Sequence, residues 1–154
     1  MKLAVPGLAK SEGKKLPPPL VPGKYEVEIP KVPTSKDSEN SDGVNITFEL
    51  VVVGGPDQED GSDPQGRLIF HRVFIMGPDH PSFEEWGHLG VDDLADMAAA
   101  FGVKVTRSDN IELEDFQGKV AIVSVGRKED NYQGEKRIVN VVKKAYPLDE
   151  EGAE

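Results

Sequence analysis

Two long apolar runs, 44–53 and 67–76, constrain this chain more than anything else in it. In the first, Ile46, Phe48, Leu50 and Val52 are apolar while Asn45, Thr47 and Glu49 are polar. A period of two marks a strand with one face in a core and the other in water. The second runs from Arg67 to Met76 and is rich in the β-branched and aromatic residues that suit a pleated surface. Between them, residues 54–66 hold four acids, four glycines and two prolines, the composition of a long solvated loop. The two runs are read as a hairpin on which the rest of the fold is built.

The neighbouring segments extend the pattern. Tyr25, Val27 and Ile29 alternate with Lys24, Glu26 and Glu28, a third half-buried strand. Pro30 and Pro33 end its pairing or place it at an edge. Lys31, Thr34, Ser35 and Lys36 then lead into a polar turn over 37–43. After a turn at 77–81, Ser82 and Glu85 fit a capping box, in which each satisfies a free amide at a helix start. Gly87 and Gly90 are expected to break that short helix. A second helix begins near Val91, with Leu94, Met97, Ala98 and Phe101 on one stripe and Gly102 placed to cap it. Residues 103–118 are mostly acidic and irregular, 119–126 form a strand, 127–134 a charged turn, and 135–146 a last strand closed by Pro147.

Strand, strand, strand, helix, strand, strand is the order of the OB-fold. The sequence therefore predicts a mainly β protein, a five-stranded Greek-key barrel with one helix between strands three and four plugging an end. It divides into a flexible Pro/Lys-rich arm (1–22), the barrel domain (23–147) and an acidic tail (148–154). In the arm, Pro17, Pro18 and Pro19 favour polyproline II.

Composition narrows the function. The chain has no cysteine, which excludes disulfides and thiolate metal sites. No run of about 18 apolar residues could span a bilayer, and Pro6, Gly7, Lys10 and Glu12 interrupt any secretory-type apolar core. A cytoplasmic protein with no membrane partner is expected. His80, His88 and Asp79 match no common metal-ligand spacing, and Asp92, Asp93 and Asp96 suit a solvated helix face. No serine has an evident base partner. No enzymatic activity and no cofactor are expected.

The net charge of −10 argues against nucleic acid in total, but not in distribution. Residues 55–115 carry −10, while 1–22 carry +3 and 116–146 carry +4. Single strands are bound by a cationic groove with rings on which bases stack. In OB-folds that groove lies on strands two and three and the flanking loops. Those parts offer Lys31 and Lys36 from the first loop, and Arg67, Phe70, His71, Arg72 and Phe74 from strand three. The last hairpin adds Arg127, Lys128, Tyr132, Lys136 and Arg137, followed by Lys143 and Lys144. Strand three can face two ways. With its even face inward, Phe70 and Phe74 are core and Arg72 needs a bulge. With its odd face inward, Phe70, Arg72 and Phe74 form an exposed stacking platform.

Over residues 22–147 the chain resembles a family of bacteriophage single-stranded DNA-binding proteins with an OB-fold. The likeness rests on Gly23-Lys24-Tyr25-Glu26-Val27, the strand from Asn45 to Val53, Gly66-Arg67-Leu68-Ile69-Phe70, the helix from Leu94 to Gly102, Gly118-Lys119-Val120, and Asn140-Val141-Val142 before Tyr146-Pro147. It implies sequence-independent binding of single-stranded DNA in phage replication or recombination. It also implies recruitment of replication or recombination proteins by an acidic tail, here Asp149 to Glu154, and homo-oligomers are compatible with it. The rival reading is a non-enzymatic phage structural or interaction barrel whose acidic surface binds a protein.

Overall fold

The computed structural model describes residues 1–11, 18–38, 42–132 and 134–148. Its order is β1 (Gly23–Glu28), β2 (Thr34–Asp37), β3 (Gly43–Gly54), β4 (Leu68–Met76), α1 (Phe83–Phe101), β5 (Val120–Tyr132) and β6 (Glu135–Tyr146). All pairings are antiparallel. β3 is the spine: β4 runs along one of its edges, and β1 and β2 share the other. β1 also pairs with β5, and β5 with β6. Apart from β2, this is the connectivity expected of the OB-fold.

Six strands replace the expected five, and the register shows why. Glu28 faces Val51, and Thr34 faces Thr47, so β1 and β2 meet the same edge of β3 in succession. The stretch between them holds Pro30 and Pro33, which cannot donate to a ladder. One long strand is thus interrupted, and Thr34 to Lys36 belong to a strand rather than to a loop.

Alternation has the consequence it should. Ile46, Phe48, Leu50 and Val52 of β3 point into the core with Tyr25, Val27 and Ile29. Phe116, on a 3₁₀ turn at Leu113–Phe116 within the stretch read as irregular, is fully buried edge-on to Phe48, with ring centroids 5.0 Å apart.

α1 is one helix of 19 residues, not two. Gly87 and Gly90 are spacers here rather than breaks. The Phe83 ring lies over Gly87, and the backbone at Gly90 presses against the Phe74 carbonyl of β4, where a Cβ would have no room. Met97, Ala98 and Phe101 are buried as the stripe predicts, and Gly102 at φ 72° ends the helix with its amide on the Ala98 and Ala99 carbonyls. The capping box does not form, for Ser82 makes no side-chain cap and its amide donates to His80 Nδ1 at 3.0 Å. α1 packs across both β4 and β6, covering the seam between these two strands. Among the described residues, no helix is long and apolar enough to cross a membrane.

The charged turn expected at 127–134 is strand for most of its length: β5 extends through Tyr132, and Arg127 to Tyr132 pair with β6 as a long hairpin. At the other end, Leu20, inside the span read as arm, is fully buried. The tail Asp149 to Glu154 lies outside the described residues.

Candidate nucleic-acid interface

The pleat decides the orientation of β4. Ile69 and Val73 are buried, His71 is nearly so, and Phe70 stands 59 % exposed beside an exposed Arg72. The odd face is therefore the core face. β3 and β2 continue the outer face in register: Phe70 is opposite Glu49, Arg72 opposite Thr47 and then Thr34, and Phe74 opposite Asn45 and then Lys36. Directly paired residues point to the same side of a sheet. This three-stranded face thus carries a ring and two cations, with Lys31 reaching Glu49 at 3.6 Å from the interrupted segment. Among the described residues Arg72 has no ion-pair or hydrogen-bond partner.

Phe74 is only half in this platform. Its ring packs over Gly43 and edge-on to His80, with centroids 5.7 Å apart. His71 is not in it at all. It points inward beside Phe48, and its Nε2 meets the Asp93 carboxylate of α1 at 3.0 Å, tying the strand to the helix.

Arg67 and Arg127 form a separate cluster committed to the chain itself. Arg67 donates to the Pro18 carbonyl oxygen at 2.7 Å. Arg127 donates to the carbonyl oxygens of Pro19 and Leu20 at 2.8 and 3.0 Å and pairs with Glu59 at 3.1 Å. Asn140 accepts from the Leu20 amide at 2.8 Å and donates back to its carbonyl oxygen at 2.9 Å, standing in for a strand. Tyr25 and Gln58 hold the next residue: Tyr25 donates to the Val21 carbonyl at 2.6 Å, and Gln58 accepts from the Val21 amide at 2.9 Å. In the adjoining loop, Asp60 accepts from the hydroxyl and amide of Ser62, and these bonds, with the nearby Arg67, hold its carboxyl below the usual range.

The long hairpin carries most of the remaining candidates. Arg137 meets Asp130 at 3.7 Å and Lys136 meets Glu129 at 3.6 Å, while Lys128 is exposed. Lys143 lies at a register shift, its chain laid over Gly126. Tyr132 faces Glu135 at the tip, and its side chain lies outside the described residues.

Sequence reasoning named Lys144 but missed Lys24 and Tyr146, which join it in a second basic spot. Lys24, Ser124 and Lys144 align across β1, β5 and β6, and both lysine ammoniums sit over the Tyr146 ring, 4.9 and 5.4 Å from its centroid. The signal was available in the alternation of β1, which puts Lys24 outside. Glu26 and Glu28 lie on the same outer face between this spot and the Phe70 platform. Trp86, 52 % exposed, was also unremarked.

Among the described residues, no group of three or more acids and histidines is placed to hold a metal ion. No family model matches the chain, and no curated protein matches it. Solved structures similar to it include a small single-stranded DNA-binding protein from Streptomyces coelicolor, at 13 % identity over 85 % of this chain and 97 % of that one, with a TM-score of 0.31. Another is yeast RPA bound to single-stranded DNA, at 13 % identity over 96 % of this chain and 88 % of that one, TM-score 0.34. The fold therefore rests on this chain's own strand pairing, and the site on its own geometry.

Proposed function

We propose that the protein binds single-stranded DNA without regard to sequence and does no chemistry on it. The observation that carries this reading is Phe70, solvent-exposed beside the unpartnered Arg72 on the β2–β3–β4 face. A large apolar ring kept in water beside a cation gives bases a surface to stack on and the adjacent phosphate a counter-charge. Lys31, Lys36 and the hairpin lysines extend the track along which a strand would lie. Several of these cations already pair with surface carboxylates, and such pairs contribute only about 0–1 kcal/mol. A phosphate can therefore replace Glu49 at Lys31 or Asp130 at Arg137 at little cost.

The acids on the same face set a limit. Glu49 sits within the platform and Glu26 and Glu28 beside it, so they lower affinity, and the fall of binding with salt comes from the cations that meet phosphates. Each neutralised phosphate on a single strand contributes roughly −0.7 to the slope of log K against log salt. The resemblance in motif order supports a setting in phage replication or recombination, in the host cytoplasm, with the tail Asp149–Glu154 as a recruiting element. The test is a titration of fluorescent oligo-dT and a matched duplex across a salt series. Saturable, salt-sensitive preference for oligo-dT supports the reading. Absence of binding at low salt overturns it.

A further inference from the structure

We propose that Glu49 reads bases, giving the β2–β3–β4 face a graded preference for guanine at the position stacked on Phe70. The inference rests on the single-strand reading above and deepens it: every sequence is still bound, but not equally. Glu49 is the only acid on the outer face of these three strands, since Asp37 pairs with Val44 and so takes the other face. It is directly opposite Phe70, which puts the two Cβ atoms about 5 Å apart on the same side of the sheet. The pair lies between Val51 with Leu68 on one side and Thr47 with Arg72 on the other. A face that only had to meet phosphates would gain nothing from a carboxylate in this place.

What a carboxylate gains here is the edge of a base. Unpaired bases stacked on a protein ring are read along their Watson–Crick edges. A carboxylate offers acceptors and no donor. Guanine alone among the four bases presents two adjacent donors on that edge, N1–H and the N2 amine, which a carboxylate can take as a bidentate pair. Cytosine and adenine present an amine beside a lone-pair nitrogen, and thymine an N–H between two carbonyl oxygens. Each of these sets an acceptor against the carboxylate. The Glu49 side chain is only 20 % exposed, so it is held in place rather than free in water. Lys31, its partner at 3.6 Å, is 62 % exposed and can turn to a phosphate, leaving the carboxylate to the base. The exposed Leu68 widens the apolar floor under that base. A base lying over these residues shuts out water, which raises the cost of a mismatched edge.

The experiment measures the affinity of the full chain, at one fixed salt concentration, for an all-thymine oligonucleotide. It is repeated with guanine, hypoxanthine, adenine or cytosine placed at widely spaced positions in the same strand. Isolated guanines do not assemble into quadruplexes. Hypoxanthine is guanine without the N2 amine, so it stacks much as guanine does and removes one of the two donors. Guanine should come first, ahead of hypoxanthine by roughly 5-fold, the lower end of what a bidentate pair discriminates. Glu49→Gln exchanges an acceptor for a donor, which suits the amine and ring nitrogen of adenine. In that variant guanine should lose its lead and adenine should take it. Guanine and hypoxanthine bound alike by the parent overturns the proposal. So does a Glu49→Gln variant that scales every affinity by one factor, because Glu49 then acts through its charge or its hold on Lys31. The all-thymine strand keeps the two readings apart. Thymine bound with no lead for guanine sinks only the role of Glu49, whereas no binding to any of the strands sinks the single-strand reading itself.

Discussion

Arg127 donates from Nε to the carbonyl oxygen of Leu20 across 3.0 Å, and Asn140 donates to that same oxygen across 2.9 Å from the facing strand. The two side chains close over a residue with no exposed surface. Asn140 also accepts from the Leu20 amide, so it satisfies both backbone groups of a segment that has no ladder of its own. Asn140→Ala removes both bonds and leaves the Leu20 amide unpaired, while the carbonyl oxygen keeps Arg127, a change that costs about 1–3 kcal/mol. Urea unfolding should show that loss, with the start of the chain becoming sensitive to protease at Leu20. An unchanged midpoint would mean that water replaces the carboxamide.

What could be read from the chain and what could not divide along a physical line. β1 and β3 were legible because one-sided burial writes itself into alternation, as at Tyr25, Val27 and Ile29, and β4 because β-branched and aromatic residues fill it. The stripe of α1 from Leu94 to Phe101 was legible for the corresponding reason. The orientation of β4 was not, since both faces are apolar; it is set by Ile69 and Val73 packing into the core, with His71 held against Asp93 of α1. The docking of Leu20 was hidden beneath proline-rich composition, and the commitment of Arg67 and Arg127 to its neighbours could not be seen because the partners are far apart in sequence. Gly87 and Gly90 read as breakers because local propensity cannot register what presses on a helix from outside.

Gly90 gives the clearest conflict between local and tertiary preference. On propensity alone, Gly90→Ala should stabilise a helix by up to about 1 kcal/mol. The Phe74 carbonyl of β4 occupies the space a methyl would need, and it is backbone that cannot swing aside. Forcing α1 off the sheet should instead cost about 1–3 kcal/mol. Thermal unfolding of Gly90→Ala reads the sign directly; a raised midpoint would show that the helix can shift without loss.

Asp60 links acidity to the loop beside the arm. The hydroxyl and amide of Ser62, then Arg67, keep its carboxyl below the ordinary value of 3.8. A depressed folded value means that its contribution is complete above the unfolded value and disappears as pH falls through the lower, folded one. The turn should therefore loosen only under strongly acidic conditions. An NMR titration of the Asp60 carboxyl checks the shift, and Ser62→Ala should move it back toward the ordinary value.

Neighbouring positions on β4 should fail in opposite ways. Phe70 is mostly in water, so Phe70→Ala should leave the unfolding midpoint nearly unchanged. If bases stack on its ring, the same change should weaken oligo-dT binding by about 1–3 kcal/mol, roughly 5- to 150-fold. Arg72→Ala should lower affinity and also flatten the salt dependence, by roughly 0.7 in slope for one lost phosphate. His71 has the reverse profile. Its side chain is 13 % exposed and ends on Asp93 at 3.0 Å, so His71→Ala should cost stability by opening a gap between strand and helix. Its oligo-dT affinity, measured where the variant is still folded, should stay near that of the parent. Equal losses of affinity at Phe70 and His71 would mean that both act through the fold, and that the outer face of β4 is not where the strand lies.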